Sequence, residues 1–162
     1  MTTKPACDHF SVGMLVVIDG KLLLVERIKF PFGFAPPAGH VDGASFTGAA
    51  ISELREETGL DAQRLGLVWA GRKEFPCRRG GDYHQWMVYK ALASGDIKRS
   101  NDETKQADWY SLPEITKLMK RTKEYLDGKI SKEEWELSPG IEHVWYEIFQ
   151  EPSVLEILQT LD

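Results

Sequence analysis

Apolar residues near the start of the chain are concentrated in two blocks that a short polar turn separates. The blocks are FSVGMLVVI, residues 10–18, and KLLLVER, residues 21–27, and both are rich in the aliphatic and β-branched residues that favour strands. Between them lie Asp19 and Gly20, residue types that accept the positive φ angles of a tight hairpin turn. The pattern therefore predicts a β-hairpin over residues 10–27.

The next part of the chain changes from loop-like to helical patterning. Residues 28–44 combine glycines, prolines and phenylalanines, which is typical of an ordered irregular loop with hydrophobic anchors. From about residue 45 to residue 58 apolar positions recur at helical spacing, and Gly59 stands where a left-handed C-terminal cap belongs. The sequence therefore predicts a loop that leads directly into a first helix.

The second half of the chain contains two further strand patterns followed by helical ones. RLGLVWAGRKEF (residues 64–75) and DYHQWMVYKAL (82–92) are rich in valine, leucine and aromatic residues, and they flank the basic tip PCRRGG. ADWYSL (107–112) predicts a short additional strand, and the capping patterns SLPE and SKEE begin helices further on. Strands, a helix, more strands and then helices indicate an α/β or α+β domain with a mixed sheet.

Composition and charge narrow the classes of partner. The chain has 162 residues, of which 42% are hydrophobic, and this suits a single compact domain. Its formal net charge is -5 and its basic residues are scattered, so a nucleic-acid polymer is not favoured as a partner. No apolar run approaches the roughly 20 residues that span a bilayer, and the N-terminal MTTKPACDHF lacks the apolar core of a secretory signal. We therefore expect a cytoplasmic protein that does not enter membranes.

Three glutamates, Glu53, Glu56 and Glu57, stand close together near the end of the first predicted helix. At about 100° of rotation per residue they share one face, next to the apolar stripe that faces the core, and so lie at the rim of a pocket. Like charges at this spacing cost about 0.2–0.5 kcal/mol each and oppose the helix dipole, so the arrangement does not serve stability. A hard cation such as Mg²⁺ would reverse this effect, although such clusters also occur on solvated helix ends.

The segment from Gly39 to Leu60, GHVDGASFTGAAISELREETGL, resembles the Nudix box of the Nudix hydrolase family. The family's pattern is G-x5-E-x7-R-E-U-x-E-E-x-G-U, in which U is aliphatic. Its last six defined positions are filled here by Glu53, Leu54, Glu56, Glu57, Gly59 and Leu60. The order of hairpin, loop, helix and strands is also similar to the family over residues 10–118. The resemblance implies a Nudix fold, an α/β/α sandwich formed by residues 1–118, with residues 119–162 as a helical extension packed on the same domain.

The box differs from the family's pattern at three points. It is one residue short, Ala44 holds the position of the first glutamate, and Ser52 holds that of the arginine. In the family the arginine resembles an orienting partner of the catalytic glutamates, and Arg55 cannot replace it because it projects about 160° away from Glu53. Two hypotheses follow: an enzyme that works with the remaining glutamates, or a noncatalytic Nudix-like module that binds a nucleotide or a partner protein.

For an active enzyme, the resemblance implies hydrolysis of a nucleoside diphosphate linked to another moiety X, with Mg²⁺ or Mn²⁺ as the cofactor. It implies catalytic roles for Glu53 and Glu57 and metal ligation by Glu53, Glu56, Glu57 and, from a late loop, Asp108. Contacts with the substrate are expected from the glycine loop, the basic tip and a second late-loop carboxylate, namely Gly39, His40, Arg78, Arg79 and Glu103. The partner is then a small nucleotide-like diphosphate, and a homodimer is compatible with the apolar C-terminal segment.

Aromatic residues outside the box allow two interpretations each. Those that precede the glycine loop or lie in a predicted strand could stack on a nucleobase, but core packing also explains them. They are Phe30, Phe32, Phe34 and Trp86. The aromatic residues of the C-terminal extension are expected to dock on the sheet or on a dimer partner instead of binding substrate.

Two cysteines and two histidines, Cys7, His9, Cys77 and His84, offer the ligand types of a zinc site. Their spacings, Cys-x-His and Cys-x6-His, lack the rhythm of a zinc finger, and two cysteines are too few for a disulfide framework. The sequence therefore favours free thiols, and a zinc-stabilised interaction domain is a third hypothesis.

Overall fold

The computed structural model of the protein describes residues 5–162. Residues 1–4 lie outside that range, and the prediction about a secretory signal falls partly on them. The described part of the chain forms seven strands and five helices. The strands are β1 (Phe10–Ile18), β2 (Lys21–Arg27), β3 (Phe34–Ala35), β4 (Ala38–His40), β5 (Asp61–Lys73), β6 (His84–Ser94) and β7 (Thr104–Tyr110). The helices are α1 (Phe46–Thr58), α2 (Leu112–Leu126), α3 (Lys132–Leu137), α4 (His143–Ile148) and α5 (Pro152–Leu158).

The predicted N-terminal hairpin is confirmed. Asp19 and Gly20 form its turn with φ angles of 52° and 73°, and Val17 of β1 lies opposite Leu22 of β2. The predicted irregular loop that follows contains two short strands, β3 and β4. Sequence patterning missed them because a strand of two or three residues is too short to show a period.

The strands form one mixed sheet with β1 in its centre. β1 pairs in parallel with β6 and antiparallel with β2 and β4. β5 runs antiparallel to β6, and both β3 and β7 run antiparallel to β2. The sheet order is therefore β3-β2-β1-β6-β5, with β4 attached to β1 and β7 attached to β2.

The two faces of the sheet are covered by different helices. Met14 of β1 packs in one core cluster with Ala50 and Leu54 of α1. Its neighbour Leu15 packs in a second cluster with Trp145 of α4 on the opposite face. Because successive strand residues point to opposite faces, one strand supplies both cores. The predicted α/β/α sandwich with helical C-terminal segments is confirmed.

Helix α1 begins and ends where the sequence predicts. The hydroxyl oxygen of Ser45 accepts a hydrogen bond from the Gly48 amide at 3.0 Å, which satisfies one of the free amides of the first turn. Gly59 caps the other end with a φ of 77°, and its amide donates to the Arg55 carbonyl. This stop sets the register of α1 against the sheet and so the positions of the glutamates in its last turns.

Helices α2 and α3 begin at the two predicted capping sites, Ser111 and Ser131. The Ser111 amide donates to the Glu114 carboxylate at 2.8 Å, and the Ser111 hydroxyl accepts from the Glu114 amide. α2 then runs without a break through residue 118. None of the helices formed by residues 5–162 is both long enough and apolar enough to cross a bilayer.

Trp145 of α4 lies against the backbone of β1 at Gly13. A Cβ built on Gly13 would overlap the indole ring, 2.5 Å from its Cζ2 atom. The same ring meets Trp86 of β6 edge to face, with centroids 5.3 Å apart. Glycine at position 13 therefore lets a large aromatic ring reach the sheet.

We expect the Gly13→Ala substitution to lower the free energy of unfolding by about 1–3 kcal/mol, because an added methyl group overpacks a site that a rigid indole fills. Urea unfolding followed by fluorescence would measure the change. Gly66→Ala in β5 is the matched control, since nothing lies within 4 Å of a Cβ at Gly66. Equal stability of the two variants would show that Trp145 is not held at this place.

Candidate active site

A cavity of about 620 Å³ is lined by residues of α1, β4 and the C-terminal helices. This volume is typical of sites that enclose a small molecule. Its lining includes the acidic side chains of α1, several arginines and several aromatic residues. The cavity thus combines side chains that suit a cation, phosphate groups and a planar ring.

All three glutamates of α1 line this cavity, as their spacing predicted. Glu56 is exposed, Glu53 is half-buried, and Glu57 is buried with only 5% of its surface exposed. The sequence placed the three carboxylates together at a pocket rim, whereas Glu57 lies deeper because the last turn of α1, with Leu54 and Thr58, is itself buried.

Glu53 lies directly against Gly39 of β4. A Cβ built on Gly39 would overlap the Glu53 carboxyl group and lie 2.6 Å from its Cγ atom. Gly39 also lines the cavity, where the sequence expected it to meet substrate. In the structure its clearest role is to leave room for Glu53.

The electrostatic setting of Glu53 differs from that of a solvated helix end. Burial raises the pKa of Glu53 to about 8, the charges of Glu56, Glu103 and Asp42 add to the increase, and Arg79 opposes it. Crowded carboxyl groups in a partly water-excluded wall favour the binding of a cation, because the ion compensates both the burial and the repulsion.

Arg27, at the end of β2, is the cation that faces the deepest glutamate. Burial and the Glu53 charge raise the pKa of Glu57 well above its ordinary value, while Arg27 lowers it. The Arg27 Nε atom also lies 3.6 Å from an oxygen of Glu142, whose pKa burial raises to about 7 against the influence of Arg27. Neither Arg27 nor Glu142 was predicted as a site residue from the sequence. Arg27 stands at the end of a predicted strand, a position from which a side chain can reach a pocket, whereas no pattern in the sequence marks Glu142.

Of the two candidate carboxylates near β7, only one lines the cavity. Glu103, just before the strand, lines the cavity and raises the pKa of both Glu53 and Glu57. Asp108 is exposed within β7, does not line the cavity, and accepts a hydrogen bond from the Trp109 amide at 2.7 Å. The expectation that Asp108 ligates the metal is therefore corrected. Glu103 is the late carboxylate that the fold brings to the site.

The basic tip reaches the cavity with both of its arginines, Arg78 and Arg79. Arg78 is exposed, whereas Arg79 forms an ion pair with Asp42 at 2.7 Å. Arg55, in contrast, pairs with Asp61 on the outer side of α1, which agrees with the projection expected from its place in the helix. Arg78 is thus the arginine of the tip without an ion-pair partner among the described residues.

The aromatic candidates serve the core, the cavity or both. Phe34 and Trp86 are buried in the sheet core, as the core interpretation has it. Trp86 also lines the cavity, as do Phe30 and Phe32. Tyr125 and Trp135 stack with centroids 4.5 Å apart and also line the cavity. The extension was expected to dock on the sheet or on a dimer partner; its helices pack on the core and also contribute side chains to the wall of the cavity.

The carboxylates fit a divalent cation that keeps part of its water shell. No three carboxylates within residues 5–162 bring their oxygens within 4.8 Å of one another. Mg²⁺ and Mn²⁺ accept such an arrangement, because these ions complete their coordination with water and substrate oxygens. Glu53 and Glu57, whose pKa values burial and the repulsion of neighbouring carboxylates raise, supply the ligand type that such an ion prefers.

His40 lines the cavity, but its imidazole ring points toward the sulfur atoms of two cysteines. Its Nε2 atom lies 3.5 Å from the Cys7 sulfur and 3.8 Å from the Cys77 sulfur. Burial, with a contribution from Arg79, lowers the pKa of His40 to about 4, so the ring is neutral at neutral pH. The direct contact with substrate that the sequence suggested for His40 is not what this orientation favours.

Comparison with known proteins agrees with the fold and the box. The family model of the NUDIX domain matches residues 8–131. The chain belongs to the Nudix family. Its curated relatives include the NAD-capped RNA hydrolase NudC of two Pseudomonas aeruginosa strains, which are 29% identical over 112 residues, or 67% of this chain and 38% of NudC. This Nudix chain therefore spans well under half the length of those relatives.

Solved structures extend the likeness of the fold. A MutT Nudix hydrolase from Burkholderia pseudomallei is 25% identical, with a TM-score of 0.58 over 65% of this chain and 84% of that one. A Nudix-family hydrolase from Clostridium perfringens is 18% identical, with a TM-score of 0.62 over 95% of this chain and 98% of that one. The second match covers most of the C-terminal helices, so the Nudix fold and its extension together have a precedent.

The altered positions of the Nudix box lie on the outside of the molecule. Ala44 is exposed in a turn, where its amide donates to the Val41 carbonyl at 3.1 Å, and Ser52 is exposed on α1. No positive charge of α1 therefore approaches the glutamates from the box itself. Arg27 from β2 supplies a positive charge beside Glu57 instead.

Proposed function

We propose that this Nudix protein is a Mg²⁺- or Mn²⁺-dependent pyrophosphohydrolase that acts on a nucleoside diphosphate linked to another moiety X. The observation that carries the proposal is the pair of glutamates with raised pKa values, Glu53 and Glu57, in the wall of a cavity that also contains arginines and aromatic rings. A site that only bound a nucleotide would gain nothing from burying carboxyl groups beside the phosphates, because like charges repel.

In this proposal Glu56 and Glu57 hold the cation and Glu53 takes the proton of the attacking water. When bound, the ion neutralises phosphate charge and makes a coordinated water more acidic. A positive charge beside Glu53 also opposes the carboxylate charges that raise its pKa, so the group becomes available as a base near neutral pH. Gly39 fixes the place from which Glu53 acts, since the carboxyl group packs on its Cα.

The remaining walls fit the two ends of a nucleotide. Arg27 and Arg78 offer guanidinium groups for phosphate oxygens. Phe30 and the stacked pair of Tyr125 and Trp135 offer flat apolar surfaces for a base. A neighbour in fold, the Nudix domain of Shewanella oneidensis NrtR, was crystallised with ADP-ribose, and NudC acts on NAD-capped RNA. From these relatives we carry over to this chain only the class of ligand, a nucleotide diphosphate.

The test is release of phosphate, through a coupled phosphatase, from nucleoside diphosphate sugars, dinucleoside polyphosphates and nucleoside triphosphates. The native protein and Glu53→Gln would be compared with Mg²⁺, with Mn²⁺ and without added divalent cation. We expect turnover of one substrate class that needs the cation and falls by about 10²–10⁴-fold in Glu53→Gln, the range for loss of a general base. Glu133→Gln, at an exposed glutamate of α3 outside the cavity, is the matched control.

A noncatalytic nucleotide-binding module is the second candidate, and the losses at Ala44 and Ser52 favour it. It predicts no turnover on any substrate of the panel while calorimetry still detects nucleotide binding. It also predicts that Glu53→Gln binds the nucleotide at least as well as the native protein does, because one negative charge near the phosphates has been removed. Cation-dependent turnover would exclude this candidate.

The Gly39→Ala substitution should reduce turnover much more than stability. Its methyl group would occupy the space of the Glu53 carboxyl group, a flexible side chain that can turn away. A displacement of about 1 Å in a reacting group can cost about 100-fold in rate, so we expect a loss of that order in kcat. Steady-state kinetics and urea unfolding would be measured together, with Gly66→Ala as the control. Unchanged kcat would mean that Glu53 need not lie where the structure has it.

A further inference from the structure

Two cysteines and two histidines from four separate segments converge beside the cavity. Cys7 precedes β1, His40 ends β4, Cys77 lies in the turn after β5, and His84 begins β6. The ligand atoms of these four residues all lie within 4.8 Å of one another, and within residues 5–162 no other such group of cysteine, histidine or acidic residues occurs. Three of the residues are half-buried and His84 is buried.

The distances in this cluster match the edges of a zinc tetrahedron. His84 Nε2 lies 3.3 Å from the Cys7 sulfur, and His40 Nε2 lies 3.5 Å and 3.8 Å from the sulfurs of Cys7 and Cys77. Bond lengths of about 2.3 Å for Zn–S and about 2.0–2.1 Å for Zn–N give a sulfur–nitrogen edge of about 3.5 Å. An ion at the centre would therefore lie within bonding reach of all four side chains.

The backbone around the sulfurs is arranged to bring them together. The His9 amide donates to the Cys7 sulfur at 3.3 Å, a contact that favours a thiolate. The Cys77 amide donates to the Gly81 carbonyl at 2.9 Å and closes a tight turn. A Cβ built on Gly81 would overlap the Cys7 sulfur and lie 3.3 Å from the Cys77 sulfur. Glycine at position 81 thus leaves the room in which the two sulfurs approach each other.

We propose that Cys7, His40, Cys77 and His84 bind a structural zinc ion. Two thiolates and two imidazoles in a tetrahedral set are the ligands that zinc prefers, and binding releases the thiol protons to solvent. Four protein ligands leave no open position for water or substrate, so the ion stabilises the fold and does not take part in hydrolysis. The proposal is independent of the proposed function.

The ligand set differs from the one that the sequence suggested. His9 does not contribute, because its Nδ1 atom lies 3.1 Å from the Tyr83 carbonyl oxygen and its ring stacks on Tyr83 with centroids 4.1 Å apart. His40 takes its place. Because His40 adjoins Gly39, the zinc ion would also anchor the strand against which Glu53 packs.

The test is to purify the protein under reducing conditions without chelator and to measure its zinc content by inductively coupled plasma mass spectrometry. We expect a single zinc ion per chain in the native protein and in the control His9→Asn, and strongly reduced zinc in Cys77→Ser and His84→Gln. Zinc removal should lower the thermal midpoint of the native protein by about 10 °C. Native-like zinc content in Cys77→Ser, or no zinc in the native protein, would overturn the proposal.

Cobalt substitution keeps the proposal testable if the variants do not fold. The native protein, depleted of zinc under reducing conditions, would be titrated with Co²⁺. Intense visible and near-ultraviolet absorption from tetrahedral cobalt bound to thiolates, lost again on addition of Zn²⁺, is the expected result. A colourless titration would contradict the site, and so would a mass lower by two hydrogens, which would show a disulfide between Cys7 and Cys77 in place of the metal.

Discussion

Replacing Glu57 with glutamine should lower the rate of cation-dependent hydrolysis by more than about 100-fold. Loss of a residue that only hydrogen-bonds to a metal ligand costs about 10–100-fold in activity, and loss of a ligand itself should cost more. Glutamine keeps the size of the side chain but cannot carry the negative charge that the cation needs. Phosphate release and Mn²⁺ affinity, measured by electron paramagnetic resonance, would both fall. Turnover within a factor of about 2 of the native rate would remove Glu57 from the proposed site.

The same substitution should make the protein more stable when no Mg²⁺ or Mn²⁺ is present. Glu57 is buried, and burial together with Glu53 raises its pKa well above the ordinary value. At pH 8 the unfolded chain ionises this carboxyl group freely and the folded chain resists its ionisation, so the group costs folding free energy. Glutamine is neutral at every pH and carries no such cost. We expect urea unfolding to give a higher free energy for Glu57→Gln than for the native protein or for Glu133→Gln. Added Mn²⁺ should stabilise the native protein and leave Glu57→Gln nearly unchanged.

The stability of the native protein without Mg²⁺ or Mn²⁺ should fall as the pH rises from 7 to 8. Glu53 has a folded-state pKa of about 8, raised by burial from an ordinary value of 4.5. The folded state therefore binds more protons than the unfolded state, and the stabilisation that is complete below 4.5 is lost as the pH rises through the folded pKa. Each such group contributes a loss of about 1.4 kcal/mol per pH unit until it ionises.

The pH window separates this effect from that of the histidines. The pKa of His40 is lowered to about 4, so its contribution has the opposite sign and lies below about pH 6.5. Urea unfolding at pH 7, 7.5 and 8, in buffer freed of Mg²⁺ and Mn²⁺ without a chelator that would strip zinc, measures the slope. Glu53→Gln should reduce the slope, and saturating Mn²⁺ should flatten or reverse it. If the free energy of unfolding of the native protein did not change between pH 7 and pH 8, Glu53 would not have a raised pKa in the folded state.

Much of the fold could be predicted because its signals are local. The Asp19–Gly20 turn, the Gly59 cap and the Ser111 capping box each depend on residues that are close in sequence. The short strands β3 and β4 escaped prediction because their pairing partners, and not their own patterns, make them strands. Helical spacing likewise placed Glu53, Glu56 and Glu57 on one face, since a helix converts spacing directly into direction.

Local periodicity, helix caps and a contiguous motif encode the family resemblance, the order of most elements and the acidic face of α1, so these could be predicted from the sequence. Which distant groups meet depends on the folded chain. The fold places Arg27 and Glu103 beside the glutamates and Asp108 outside the cavity. It also places His40, and not His9, next to the two cysteines. These choices depend on strand pairing and loop closure between segments far apart in the chain, and no local pattern records the distance between two such side chains.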